Sequence, residues 1–205
     1  AENTTLHKKY AGGHITIVGA NSASGLASRP IRILLCDEVD RFPISAGTEG
    51  DPINLARKRT TTFWNRKIIL TSTPTIKGLS RIEKAFDESD KRVYKVPCLE
   101  CNQYQQLKWQ QITWLENKPE TASLSCEHCG VIIPESKKQQ MLLKGKWEAQ
   151  NPEAKKVGFH ISELYSPFRT WVELVQDFLE AKKSPEQLQT FINTSLGETW
   201  EEQGE

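Results

Sequence analysis

The chain has 205 residues, with 27 lysines and arginines against 26 aspartates and glutamates, and 37% of it is hydrophobic. That length suits one large domain, or a domain with a small satellite, and the composition excludes collagenous, low-complexity and disordered classes. A formal charge of +1 excludes an argument for a strongly charged partner from net charge alone, so any such partner would have to be met by a local patch.

In chain order, the first third reads as α/β. His14–Gly19 is a short β-rich run, followed by the small-residue loop Ala20–Gly25. Ile31–Cys36 is a second run, apolar except at Arg32. Continuous apolar runs suit strands of a parallel sheet covered on both faces. Asp51-Pro52 predicts a helix start, with a cap and a proline at the first helical position. Lys67–Leu70 is a third run, Gly78–Glu88 a helix, and Val93–Val96 a strand leading into a cysteine pair. Residues 97–133 show little helical periodicity. The last third reads as mostly helical with one strand, Val157–Ile161; Thr170–Lys182 has apolar residues at helical spacing, and Ser184-Pro185-Glu186-Gln187 is a helix start. No run approaches the roughly eighteen apolar residues of a membrane helix. The chain start, Ala1-Glu2-Asn3-Thr4-Thr5, has no signal-peptide layout, so no membrane partner is expected.

Four of the five cysteines form two C-x-x-C pairs, Cys98/Cys101 and Cys126/Cys129, 24 residues apart. A two-residue gap turns both sulfurs of a pair toward one ion, and two such knuckles supply four thiolates in a tetrahedron. The expectation is a zinc ribbon whose closed ligand set leaves no position for water, hence a structural and not a catalytic zinc. His128 lies between two better ligands. Redox chemistry is less suited, because a redox C-x-x-C stands alone beside a thioredoxin-like pattern.

Ile33–Glu38 is an apolar strand ending in two carboxylates, the Walker B pattern. Such an end lies beside the phosphate site of a parallel sheet. Asp37 there can hold magnesium, and Glu38, one residue on, can orient the attacking water. Lys67–Leu70 ends in Thr71-Ser72-Thr73-Pro74; a hydroxyl-rich strand end beside Walker B can sense the γ-phosphate, or can simply cap a turn. No G-x-x-x-x-G-K-[ST] phosphate loop occurs in the sequence, and Gly19–Gly25 contains no lysine. Arg57, Lys58, Arg59, Arg66 and Lys67 form a basic cluster: a solvated helix face, or a contact to DNA or phosphate. Of these Arg59 is favoured, because it is expected near the middle of its helix. Trp109 and Trp114 are expected to pack over the metal module, with base stacking as the alternative. Cys36 reads as a small core residue, and His160 as a satisfied structural histidine.

Several segments in order along the chain resemble the large terminase subunit of tailed bacteriophages, of the lambda type. They are Gly19–Leu26, Leu34–Phe42, Glu49–Pro52, Thr71–Thr75, Val96–Cys101, Phe159–Ile161, Leu164–Phe168 and Asn193–Trp200. The resemblance implies an α/β fold: part of a P-loop NTPase parallel sheet over 1–96, the zinc ribbon over 97–133, and a mainly helical segment over 134–205 leading toward a nuclease domain outside the chain. It implies a motor that hydrolyses ATP with magnesium to pump double-stranded DNA into a procapsid, and an endonuclease that cuts concatemers. Asp37 would be the magnesium-side acid, Glu38 the catalytic glutamate, and Ser72 and Thr73 members of the coupling motif. Implied partners are the small terminase subunit, the portal protein and further copies of the chain, in the host bacterial cytoplasm. The chain would begin after the phosphate loop, so ATPase activity would belong to the full-length protein. Two other readings stay open: a helicase-like ATPase, which would share Asp37-Glu38-Val39-Asp40, and a non-enzymatic zinc-ribbon nucleic-acid module.

Overall fold

The computed structural model describes residues 3–201; Ala1 and Glu2, which head the chain start read above for a leader, and residues 202–205 lie outside the described residues. The chain is a mixed α/β structure with parallel and antiparallel sheets, folded as two compact units, Ala1–Ser72 and Thr73–Glu205. No helix among the described residues is long and apolar enough to cross a membrane.

The first unit opens with an antiparallel hairpin, β1 (His7–Tyr10) and β2 (Gly13–Thr16). The expected His14–Gly19 run is therefore only half strand, and it folds back on β1. The cause is local: the turn Ala11-Gly12 places Gly12 at φ +84°, a conformation that lets a two-residue turn close. Helix α1 (Ala23–Ala27) follows, its first turn capped by Ser22, which accepts from the Gly25 N–H at 3.3 Å. Strand β3 (Ile33–Asp37) then pairs in parallel with β4 (Lys67–Thr71), from Ile33 opposite Lys67 to Asp37 opposite Thr71. Between them runs α2 (Pro52–Lys58), where Asp51 accepts from the Asn54 N–H at 2.9 Å. Strand β3 is not covered on both faces. Leu34 and Cys36 are buried, whereas Ile33 and Leu35 are exposed within the described residues, together with Ile69 of β4. An apolar run marks a strand, but it cannot say whether a second layer lies over each face.

The second unit begins with α3 (Arg81–Asp87), capped by Ser80. Its central strand is β5 (Arg92–Pro97). Beyond the first knuckle, β6 (Tyr104–Gln106) returns antiparallel to β5. Strands β7 (Ile112–Leu115), β8 (Lys118–Ser125) and β9 (Ile132–Pro134) form an antiparallel sheet. After α4 (Lys138–Leu143), strand β10 (Lys146–Ala149) pairs antiparallel with β5, and β11 (Phe159–His160) pairs parallel with it. The sequence reading expected β11 but not β10, because Lys146-Trp147-Glu148-Ala149 is short and half charged. Helix α5 (Trp171–Ala181) starts at a capping box of Thr170 and Glu173, and α6 (Pro185–Phe191) at Ser184.

The ribbon does not stand apart with a small core of its own. Val96, Leu124 and Cys126 share one core with Trp171, Leu174 and Val175 of α5. A buried phenol pins the layers together: the Tyr165 hydroxyl donates to the Tyr94 carbonyl at 2.6 Å and accepts from the Leu107 N–H at 2.7 Å. Burial pushes that phenol up to about 12, so it stays a donor at any physiological pH. At the far end of the unit, Ile76 bridges to Trp200, the Lys77 N–H donates to the Trp200 carbonyl at 2.9 Å, and Asn193 Nδ2 donates to the Thr75 carbonyl at 3.2 Å.

Candidate functional site

Two constellations carry chemistry. In the second unit the two knuckles have the same backbone. The Cys98 N–H donates to the Gln103 carbonyl and the Asn102 N–H returns to the Cys98 carbonyl; the Cys126 N–H donates to the Val131 carbonyl and the Gly130 N–H returns to the Cys126 carbonyl, all at 2.9–3.0 Å. Each turn needs a residue at positive φ directly after its second cysteine, Asn102 at +58° and Gly130 at +73°. Asparagine and glycine are the residue types that adopt this conformation most readily.

The four sulfurs of Cys98, Cys101, Cys126 and Cys129 lie within 4.8 Å of one another. Cys98 and Cys129 are 3.9 Å apart, as are Cys101 and Cys126. A disulfide would bring sulfurs to about 2 Å. Tetrahedral thiolates at a zinc-to-sulfur distance of about 2.3 Å would stand about 3.8 Å apart, so the cluster could hold a metal ion. Its electrostatics point the same way. Burial pushes the Cys126 thiol up, but the Cys129 and His128 N–H groups outweigh burial and hold it at about 7. Cys129 gains from the Val131 N–H, yet burial and the three neighbouring cysteines drive it up to about 12. Four thiolates cannot coexist unaided, and a divalent cation is what lets them all ionise. His128 is not in the cluster: its Nε2 lies 3.3 Å from the Tyr104 carbonyl.

The spacing did not reveal Gln105, which is fully buried. Its Oε1 accepts from the Glu127 N–H and from Gln111 Nε2, both at 2.9 Å, tying the second knuckle to the strand after the first. Trp109 and Trp114 pack toward the helices, against Phe178 of α5 at 5.1 and 6.1 Å, and Trp109 also against Phe191 of α6 at 5.1 Å.

In the first unit the ends of β3 and β4 meet. Asp37 is exposed, and its Oδ1 accepts from Thr71 Oγ1 at 2.6 Å. Three residues on, the Asp40 N–H donates to Ser72 Oγ at 3.2 Å. The two strand ends are thus linked by hydroxyls, and Thr71, not singled out from the sequence, holds the carboxylate. Its signal was the register, which a sequence does not print. Glu38 adopts φ +54° and ψ +49°, left-handed for a residue with a side chain. This turns the chain from β3 into the single 3-10 turn Val39–Arg41. Ser72 closes the first unit and Thr73 opens the second. The basic cluster divides. Arg59 does not lie mid-helix: it is the C-cap of α2, because the hydroxyls of Thr60 and Thr61 end the helix there, and its Nη1 donates to the Ala27 carbonyl at 3.1 Å. Arg57 and Lys58 line a cavity with Arg66. Cys36 is buried, and desolvation pushes its thiol up, as for an inert core residue. His160 Nε2 lies 3.0 Å from the Gly197 carbonyl.

The structure thus places an acid-ended strand beside a hydroxyl-ended strand, and a cluster of four cysteines further along the chain; comparison with known proteins gives the family. Residues 1–147 match the family model described as phage terminase large subunit gpA, ATPase domain, and residues 156–205 that described as terminase large subunit gpA, endonuclease domain. The chain belongs to the phage terminase large subunit gpA family. It is 35% identical over 228 residues to the large terminase subunit of Enterobacteria phage P21, and 30% over 231 residues to that of Escherichia phage lambda. Each alignment covers 98% of this chain and 35% of the relative, so the chain spans about a third of the length of these curated relatives. No solved structure matches. The segment 134–205, read above as a helical approach to a nuclease, overlaps the endonuclease model from residue 156 on.

Proposed function

We propose that the chain is part of a motor that hydrolyses ATP to drive double-stranded DNA into a procapsid, working with a small terminase subunit, a portal protein and further copies of itself in the host cytoplasm. The observation that carries this reading is the Asp37–Thr71 hydrogen bond at the paired ends of two parallel strands, in a chain of this family. The β3–α2–β4 unit is read as part of a P-loop-type sheet within residues 1–96. Residues 97–133 form the zinc ribbon, and 134–205 lead into the endonuclease.

Asp37 fits a magnesium site. It is an exposed carboxylate at the C-terminal end of a parallel strand, with one oxygen fixed by a neutral hydroxyl. Magnesium, when bound, supplies charge neutralisation on the β- and γ-phosphates. Glu38 accepts a hydrogen bond from the attacking water and orients it. Ser72, bonded to the turn after Glu38, carries a change at the acid pair into the chain that continues at Thr73. The ion in the ribbon is zinc in a structural role, since four protein ligands close its shell.

The test is ATP-dependent protection of duplex DNA from added nuclease, measured with the full-length protein and procapsids. Protection is expected, without separation of the two strands. ATP-driven unwinding without protection would establish a helicase-like enzyme instead, and DNA binding without ATP turnover a ribbon module alone.

A further inference from the structure

Within the first unit, a cavity of about 360 Å³ is lined by Asn54, Arg57 and Lys58 of α2, by Thr60 and Thr61 just beyond it, and by Arg66 and Ile68 at the start of β4. Three cations face it and no carboxylate does. Among the described residues, none of the ion pairs involves Arg57, Lys58 or Arg66. The Nε of Arg57 is buried and has no hydrogen-bond partner. A buried N–H left unanswered destabilises the fold unless a ligand answers it.

The bland reading is a solvated helix face, with basic residues placed to suit the carbonyl end of α2. Arg59 satisfies it through Nη1, which is spent on the Ala27 carbonyl, although its Nε, like that of Arg57, is buried without a partner. Arg57 does not. The helix carbonyls are already served: the Thr60 hydroxyl donates to the Arg57 carbonyl at 2.8 Å, the Thr61 hydroxyl to the Lys58 carbonyl at 2.9 Å, and the Arg59 N–H to the Ala56 carbonyl at 3.0 Å. These bonds blunt the negative end of the helix that would otherwise repel an anion, and they leave the three cations without an internal partner.

We infer that this cavity binds a phosphate group through Arg57, Lys58 and Arg66, with the Asn54 amide as a further donor. The site is separate from the acid pair. It lies at the N-terminal end of β4, and the four residue steps from Lys67 to Thr71 set it about 13 Å from the Asp37 end of the sheet. The same chemistry could come from a nucleic-acid backbone or from a nucleotide. The backbone is favoured because Trp64, in the turn between Thr61 and Arg66, is 93% exposed, and an exposed indole beside cations suits a polynucleotide. That choice of source rests on the packaging reading, whereas the pocket itself does not.

The test measures binding of a fluorescent duplex oligonucleotide to the full-length protein across a salt series, and in parallel binding of ATP and of inorganic phosphate. Arg57→Gln and Arg66→Gln are each expected to weaken DNA binding and to lower the slope of log K against log[salt] by about one. Arg57→Lys, which keeps the charge, is expected to keep the slope, and circular dichroism checks that each variant is folded. Loss of ATP or phosphate affinity with DNA binding unchanged would keep the pocket and assign it to a nucleotide. A wild-type protein that binds no DNA would contradict the packaging reading, and the ATP and phosphate arms would still decide the pocket. Folded Gln variants with unchanged affinity for all three ligands would overturn the inference.

Discussion

Asp90 shows how a single side chain organises this protein. It is buried at the start of β5. Its Oδ1 accepts from the Gly158 N–H at 3.0 Å and its Oδ2 from Arg92 Nε at 2.7 Å, while its own carbonyl takes the Gln150 and Asn151 N–H groups. The chains around β10 and β11 are thereby anchored to one residue. Burial alone would raise the carboxyl, but the Gly158 N–H and the Arg92 guanidinium outweigh it and hold it below its ordinary 3.8. The unfolded chain takes up the proton at the higher, ordinary value. The carboxylate therefore contributes stability above that value, and the contribution fades as pH falls through the lower folded value. Asp90→Asn should destabilise the fold at pH 7, by a margin that shrinks markedly by pH 3, as read from urea melts of both proteins. An equal margin at both pH values would show that the charge plays no part. Glu38 is the opposite kind of residue: its left-handed backbone, costing roughly 1–2 kcal/mol, is a local expense retained at the proposed catalytic position.

Among the elements, the ribbon is the one most exposed to a single perturbation. Apart from the Gln105 bridge and the shared core, the two knuckles meet at their sulfurs, so the proposed zinc would be their main tie, and structural zinc contributes on the order of 10 kcal/mol to small modules. Because Cys126 and Leu124 share a core with Trp171 and Leu174, removing the metal with a chelator should loosen residues 97–133 and the packing face of α5, while β3 and β4 keep their protection. Hydrogen exchange with and without chelator measures this; unchanged protection over 97–133 would remove the metal from the account. The knuckles were legible in the sequence because C-x-x-C spacing is local, and so were the helix starts at Asp51-Pro52, Thr170 and Ser184-Pro185. The end of α2 was not, because no glycine or proline marks it and two threonine hydroxyls do the work. Nor was the Asp37–Thr71 pairing, since register is set by partners more than thirty residues away, or the role of Gln105, whose buried amide is unremarkable in a string of letters.

At the scale of the whole molecule, the chain belongs to the phage terminase large subunit gpA family, and the packaging cycle is the proposal to be tested. The 205 residues carry no lysine-bearing phosphate loop. Residues 1–147 and 156–205 match successive ATPase and endonuclease models, and in the second unit the stretch Thr75–Lys77 is bonded to Trp200 within the endonuclease match. All of this turns on whether the acid pair at the end of β3 performs hydrolysis. The direct measurement is ATP binding and turnover by full-length Glu38→Gln protein: nucleotide affinity should stay within a few-fold of wild type while hydrolysis falls by about 100-fold or more, the scale of a lost general base, whereas wild-type turnover in that variant would contradict the assignment.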